Sequence, residues 1–489
     1  MVQVQVNNHI LSVPEDTLLS NLLPDIPHPC GGKGICGKCK VRAGGSISPL
    51  SSVEQRQLTA LELADGVRLA CQTTVQGDCW VERFDTAPLA ICTEGEWIPV
   101  NLNPGFAHYG VAVDVGTTTL AARLYAADGA LLAELGAPNP QAAFGADVIS
   151  RVEAVLNGKG EEVTAAIRTG LCRLLQEITA KAGLLPSDLD GLVITGNTVM
   201  LTLLTGGDVT PFATAPFSGH ARFGVAVSAD SMGLDIRPST HVYLPPCTSA
   251  FIGGDTITAL MAVDLKEKEL LVDIGTNGEM VLYVDGTLYA CSTAAGPAFE
   301  GVGISCGMVA APGAIDRVEL VNGTLHPHVI GGGEAIGICG SGLIDLVACL
   351  ALLGDPDGPV TLAPGVTLTT EDMQALLVSK SAIRSGVDTL LHAAGLTEKE
   401  LTGIVVAGGF GSCLNFSNAI RLGLLPSVSV DKFRVVGNAA LTGATHLLLD
   451  DTQKETAQQL AGAIRVVDLA ANPYFAQRFI VNMTLEVAQ

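Results

Sequence analysis

Val111-Ala112-Val113-Asp114-Val115-Gly116-Thr117-Thr118 is matched later in the chain by Leu271-Val272-Asp273-Ile274-Gly275-Thr276-Asn277. Each is an apolar run that closes on Asp, one apolar residue, Gly and Thr, and each leads into a further strand-like run. The reading is one β-hairpin used twice. From Tyr109 onward the chain is therefore expected to form two related halves in which strands and helices alternate, as in α/β architecture. At such a turn, backbone N–H groups and hydroxyls can face an anion, and the leading Asp can hold the water shell of Mg²⁺. One D-x-G-T is weak, since many hairpin turns look like it, whereas two related copies far apart are a strong signal. Gly116, Thr117, Thr118 and Thr119 form the first candidate phosphate turn, and Gly275, Thr276, Asn277 and Gly278 the second. Asp114, Asp273 and Glu279 are the candidate catalytic carboxylates.

A third element is Val405-Val406-Ala407-Gly408-Gly409-Phe410-Gly411-Ser412. A strand runs into glycines and then a helix, which lets the backbone approach a flat or phosphorylated ligand. Gly408, Gly409, Phe410 and Gly411 are therefore candidate ligand contacts. Gly196-Asn197-Thr198 and Gly437-Asn438 also lead from loop to helix. For each of these glycine pairs alone, a plain helix cap is the better reading. Gly331-Gly332-Gly333 and Cys339-Gly340-Ser341-Gly342 fit a nucleotide contact and a cap equally well. The chain has no P-loop lysine motif and no G-x-G-x-x-G after a strand.

Ahead of this region the grammar differs. Val2, Val4 and Val6 alternate with Gln3 and Gln5, Asn7-Asn8 offers a turn, and Ile10-Leu11-Val13 restarts a strand, which reads as a hairpin. Glu15-Asp16-Thr17 opens a short helix through Leu18, Leu19 and Leu22. Strand-like text returns at 40–43 and 79–84. Between helix and strand stands Cys30-Gly31-Gly32-Lys33-Gly34-Ile35-Cys36-Gly37-Lys38-Cys39, and Cys71 follows in Arg68-Leu69-Ala70-Cys71. Three thiolates on one glycine-rich loop and a fourth from a distant strand suit a [2Fe–2S] cluster, with Cys30, Cys36, Cys39 and Cys71 as ligands. The glycines let the backbone wrap closely and turn its N–H groups toward sulfur. Zinc is the alternative metal, although zinc knuckles usually pair two C-x-x-C units and Cys71 has no such partner. The remaining alternative is a set of unligated buried cysteines, which the polar Gly/Lys loop disfavours. Cys79 and Cys92 have no partner spacing and read as structural. The order strand, strand, helix, loop, strand suits a compact β-grasp unit over 1–86. Pro88, Pro99 and Pro104 mark 87–108 as a linker.

At 489 residues, with 48% apolar and 16% charged residues, the chain can bury more than one core and is not expected to be disordered. Mean hydropathy is +0.41, yet no apolar run reaches the ~18 residues of a membrane span. The greasiest stretch, 343–353, is short and contains Asp345, and reads as a buried helix. The N-terminal sequence lacks the basic and apolar regions of a secretory signal, and Glu486-Val487-Ala488-Gln489 is no prenylation box, so a cytoplasmic location is expected. A net charge of −22 argues against nucleic acid and anionic membranes and favours a partner with a basic surface. The thirteen cysteines are not expected to form disulfides in that compartment.

Together the three glycine-bearing motifs resemble those of the acetate and sugar kinase, heat-shock chaperone and actin superfamily. Asp114–Thr119 looks like its first phosphate motif, Asp273–Glu279 like its second, and Gly408–Gly411 like its adenosine motif. Segments 196–200 and 437–443 resemble its connecting helices. A ferredoxin domain fused to such an ATPase resembles one family, the reductive activators of corrinoid proteins. Ala295-Gly-Pro-Ala-Phe299-Glu-Gly301, Gly337-Ile-Cys-Gly-Ser-Gly342-Leu-Ile-Asp345 and Asn472-Pro473 are similar to that family as well.

The resemblance covers nearly the whole chain. It implies an α+β N-terminal β-grasp ferredoxin domain, then a two-lobed α/β actin-like ATPase over 109–489 with duplicated ribonuclease H-like subdomains. It further implies ATP and Mg²⁺ as cofactors beside the cluster, and transfer of one electron to an inactive Co(II) corrinoid on a partner methyltransferase protein. An external low-potential donor and a homodimer are implied in the same way. No D-x-H-x-x-G cobalamin signature occurs here, which places the corrinoid on the partner. Better-known members carry an extra small domain where this chain has only 87–108. The competing readings are an activator of another low-potential enzyme, such as a 2-hydroxyacyl-CoA dehydratase, a small-molecule kinase with an iron–sulfur regulatory domain, and a plain electron carrier.

Overall fold

The computed structural model describes the chain apart from residues 8, 24–25, 27–29, 35, 85–90, 97–98, 216, 218–222, 355–357 and 486–489, and apart from the side chain of Leu61. Asn8 of the first turn, Ile35 of the cysteine loop and Pro88 of the expected linker lie outside the described residues.

The N-terminal unit is a five-stranded sheet in the order His9–Val13, Val2–Val6, Val75–Arg83, Lys40–Ile47, Val67–Leu69. Alternation puts Val4 and Val6 into a core shared with Leu19, Leu23, Val41, Leu69, Val75 and Val81. Asn7 takes φ of 49°, a left-handed conformation that Asn tolerates in a tight turn. The helix expected after Glu15 is one 3₁₀ turn, Leu19–Leu22. The reason is competition for donors: the N–H groups of Leu19 and Ser20 bond the carbonyls of Thr73 and Ala70.

From Tyr109 the chain builds two six-stranded sheets. In the first lobe the hairpin Tyr109–Val115/Thr119–Ala126 is flanked by antiparallel Leu131–Pro138 and by parallel Leu189–Gly196 and His241–Leu244. In the second lobe Glu269–Ile274/Gly278–Val284 is flanked by antiparallel Thr287–Thr293 and by parallel Gly403–Ala407 and Phe433–Gly437. Five successive strand positions correspond, so the repeat read in the sequence is a repeat of topology.

Helices Gly254–Ala262 and Ala439–Leu449 cross between the sheets. Their residues share one core with Ala112, Tyr125 and Val193 of the first sheet and Leu271, Val281 and Val405 of the second. At the crossing a Cβ on Gly443 would stand 1.8 Å from the Thr258 carbonyl oxygen, so only glycine fits. The connecting pair differs in part from the expected one. Helix Thr198–Thr205, which follows Gly196, packs inside the first lobe, and Gly254–Ala262 takes the connecting place. Helix Gly340–Leu353 is buried over most of its length, as its apolar run requires. Among the described residues no helix is long and apolar enough to cross a membrane.

The segment expected as a linker is stitched to the two-lobed region by backbone bonds and packing. The Glu94 carbonyl accepts from the Asn438 N–H, and Glu96 and Asn103 donate to the Val436 and Leu449 carbonyls. Ile91 packs on Gly136, where a Cβ would come within 2.5 Å of it.

Candidate functional site

The four cysteines gather as two pairs. Cys39 and Cys71 stand with Sγ atoms 3.2 Å apart, and Cys30 and Cys36 bond each other. The bond from Cys39 is the main reason the Cys71 thiol falls to about 7. Cys36 is pushed up, by its bond to Cys30 and then by burial. Gly31, Gly32, Gly34 and Gly37 all adopt positive φ, between 58° and 79°. Gly34 also lacks room for a side chain, since a Cβ would meet Val53 at 2.6 Å. This winding aims the N–H groups of Lys38 and Gly34 at the sulfurs of Cys36 and Cys71. Among the described residues no three His, Cys, Asp or Glu side chains are placed to hold a single ion. Two thiolate pairs, each able to serve one iron, with N–H groups aimed at sulfur, fit a two-iron cluster better than a lone zinc. Cys79 lies apart, in the β-sheet core.

Beneath this loop, Glu54 locks the domain. Its buried carboxylate accepts from Arg68 Nε at 2.8 Å, from the Leu69 N–H at 3.1 Å and from Thr73 Oγ1 at 3.0 Å. Burial would raise its pKa, but Arg68 and these N–H groups outweigh it and hold it at about 2.

In the two-lobed region, Asp114 and Asp273 close equivalent strands on facing walls of the cleft. Asp114 accepts from Asn438 Nδ2 at 3.0 Å. Gly408 (φ 86°) sits so near Asp273 that a Cβ would lie 2.5 Å from its Oδ1. The phosphate turns meet face to face, with Thr118 Oγ1 and Thr276 Oγ1 3.1 Å apart. Gly116 closes on the Thr119 carbonyl, Gly275 donates to the Asn277 carbonyl, and Arg151 donates to the Thr117 carbonyl at 2.6 Å. Gly278 and Glu279 open the return strand, and Ser292 donates to Glu279. Gly409 lies against Cys92, Phe410 stacks on Phe299 at 5.4 Å, and Gly411 starts a short turn. By contrast Gly340 and Gly342 serve packing, since a Cβ on either would strike the carbonyl of Phe299 or Ile315. Gly331–Gly333 form a turn after Thr324–Val329.

Two residues of the cleft escaped the sequence reading. Asp255, at the start of Gly254–Ala262, shares a cavity of about 10 Å³ with Asp273 and Glu279. Burial raises Asp114 to about 6, Asp255 to about 7 and Asp273 to about 7, and the Asp114 charge adds to the last two. Burial, then Asp255 and Asp273, lift Glu279 well above the carboxylate range. Mutually repelling carboxylates in one cleft have the chemistry of a site for a hydrated divalent cation. Glu300 is the second, accepting from both Thr118 and Thr276. Gly253-Gly254-Asp255 was a legible signal, an acidic residue opening a helix after two glycines. A larger groove of about 710 Å³ lies elsewhere, along Thr164, Arg168 and Cys172, and includes none of these groups.

Comparison with known proteins places these sites in context. Residues 3–76 match the 2Fe-2S iron-sulfur cluster binding domain. Residues 109–268 match the family described as RACo middle region, and 267–360 with 357–489 match the C-terminal domain of RACo, the ASKHA domain. Corrinoid activation enzyme RamQ of Eubacterium limosum is 31% identical over 415 residues, 76% of this chain and 70% of its own. The Co(II) methylated amine-specific corrinoid protein reductase of Methanosarcina barkeri is 27% identical over 404 residues, 73% of either chain. A solved structure of a reductive activator for corrinoid, iron-sulfur protein superposes with a TM-score of 0.71 at 27% identity, over 98% of both chains. With paired thiolates at one end, matched phosphate turns at the other, and a relative 31% identical over three quarters of the chain, the chain belongs to the family of reductive activators of corrinoid proteins.

Proposed function

We propose that this chain passes one electron from its N-terminal domain to a Co(II) corrinoid carried by a partner methyltransferase protein, giving Co(I), and that ATP hydrolysis in the interlobe cleft drives the transfer. The observation that carries this reading is the union, in one folded chain, of a two-pair thiolate site with two facing phosphate turns. A [2Fe–2S] cluster held by Cys30, Cys36, Cys39 and Cys71 supplies single electrons, and an external low-potential donor replaces each one spent. For one electron, 59 mV is a tenfold equilibrium shift, so an uphill gap of a few hundred millivolts costs several kcal/mol. The two-lobed ATPase is the source of that energy.

Within the cleft, Asp114, Asp273 and Glu279, joined by Asp255, hold Mg²⁺ through its waters. Thr117, Thr118, Thr119, Thr276 and Asn277 donate to phosphates, with Gly116, Gly275 and Gly278 setting the turns. Gly408, Gly409, Phe410 and Gly411 receive the adenosine. The cluster unit spans 1–86, the join 87–108 and the ATPase 109–489. The chain works as a homodimer in the cytoplasm. Its charge of −22 suits a partner with a basic docking face.

Product analysis tests the proposal. Reduced protein, partner and Mg-ATP should yield ADP, phosphate and a reoxidised cluster. Asp114→Asn should lower ATP turnover by about 10–100-fold and leave the cluster spectrum intact. A phosphorylated metabolite in place of free phosphate would make the chain a kinase.

A further inference from the structure

The ferredoxin loop is bonded to the second lobe at a point that leads back to the phosphate turns. Lys38, between Cys36 and Cys39, donates through Nζ to the carbonyls of Gly307 at 2.6 Å and Ile304 at 3.2 Å. Nearby, Gly31 lies against the Phe144 carbonyl of the first lobe, where a Cβ would come to 3.2 Å. The cluster loop thus touches both lobes. The Lys33–Glu153 pair at 3.4 Å is exposed and adds little.

The turn that receives Lys38 begins at Glu300. That carboxylate accepts from Thr118 Oγ1 at 2.7 Å and from Thr276 Oγ1 at 2.8 Å. Each hydroxyl has one proton, and both are spent on Glu300. The two oxygens stand 3.1 Å apart. A phosphate edge also carries two oxygens side by side, so it would accept from these two hydroxyls only by taking the place of the Glu300 carboxylate. Phosphate and Glu300 are both anions and compete for the same two donors.

Between Glu300 and the Lys38 contact the chain closes on itself at both ends, around Gly303, which stands in open space. A Cβ on Gly301 would lie 2.5 Å from the Met308 carbonyl oxygen, and one on Gly307 would lie 2.3 Å from that of Gly301. The Val302 N–H bonds the Pro297 carbonyl, and the Ser305 N–H bonds Asp372 at 2.6 Å. The contact of Gly301 with Gly307 and Met308 joins the Glu300 end of the turn directly to the end that Lys38 holds.

We propose that Glu300 occupies the place a nucleotide phosphate needs, and that Mg-ATP, by displacing it, moves turn 301–307 off Lys38 and unlocks the cluster loop from the ATPase. Glu300 is then the sensing group and Lys38 a positioning residue that holds the cluster loop until nucleotide binds. The inference rests on the nucleotide reading of the two turns.

Amide hydrogen exchange on the anaerobic, cluster-loaded full chain, with and without Mg-ATP, tests it. ATP should protect 114–119 and 273–279 and speed exchange in 36–42 and 301–309 by about 10–100-fold, the equivalent of one lost charged hydrogen bond. Lys38→Met should show fast exchange at 36–42 with or without ATP, and Lys38→Arg should restore the ATP dependence. Glu300→Gln keeps the size and removes the competing charge, so the KM for ATP should fall. A Mg²⁺-holding or catalytic role for Glu300 would instead raise KM or lower kcat, and would overturn the proposal. Protection at both phosphate turns with unchanged exchange at 36–42 would also overturn it, leaving the nucleotide reading in place. No protection at either turn would remove that reading and this proposal together.

Discussion

Asp114, Asp255 and Asp273 carry the pH behaviour of the cleft. Each has an ordinary value of 3.8, and burial raises them to about 6, about 7 and about 7. Between pH 4 and 7 these three carboxyls therefore bind more protons in the folded protein than in the unfolded chain. Their contribution to metal-free stability falls as pH rises across that window. Mg²⁺ needs the ionised carboxylates, so its binding expels those protons and tightens with rising pH. We expect the Kd for Mg-ATP to fall from pH 5.5 to 7.5 and then level. Calorimetry in two buffers of different ionisation enthalpy should count the released protons. Binding that is flat over this range and releases no protons would separate these carboxylates from the cation.

At the scale of elements, Glu54 ties helix Ser52–Gln57 to the strand end that delivers Cys71. Glu54→Ala leaves the buried Arg68 with the Ser48 and Pro49 carbonyls but without its countercharge, and losses of this kind cost about 3–5 kcal/mol. Guanidinium titration of the full chain, followed by cluster absorbance, should show early bleaching. An unmoved midpoint would mean that the sheet alone holds the loop.

Much of this level was legible. The gathering of Cys30, Cys36 and Cys39 was legible because residues of one tight loop must be close in sequence, and Cys71 joins them from the end of strand Val67–Leu69. The two hairpins were legible because strand and turn chemistry repeat in matching order. Asp255 left only the local signal of an acidic residue after two glycines, and its place in the cleft depends on the crossing of Gly254–Ala262 with Ala439–Leu449, where Gly443 admits the Thr258 carbonyl. Glu300 was hidden likewise. Its sequence neighbours read as a family likeness, and its partners, Thr118 and Thr276, arrive from two separate halves. The short helix near Leu19 failed because strand-side carbonyls captured its N–H groups.

For the whole molecule, the join at 87–108 matters most. Its prolines read as a linker, and the bonds that hold it to Val436, Asn438 and Leu449 leave no periodic signal, since each is a single contact. A fragment starting at residue 91 keeps those contacts, whereas one starting at 107 bares the sheet edge at Phe433–Gly437. We expect 91–489 to bind ATP with a higher melting temperature than 107–489. Equal thermal stability of the two would restore the plain linker.

One chain couples ATP hydrolysis to cobalt reduction. This coupling is tested by mixing reduced protein, a Co(II) corrinoid protein and Mg-ATP without oxygen and following the Co(I) absorption band. Co(I) should form only with hydrolysable ATP, and not with Cys36→Ser or Asp114→Asn. Cys79→Ser, outside the four ligands, should keep its cluster spectrum. An equal yield of Co(I) in the absence of any nucleotide would contradict the account and leave a simple electron carrier.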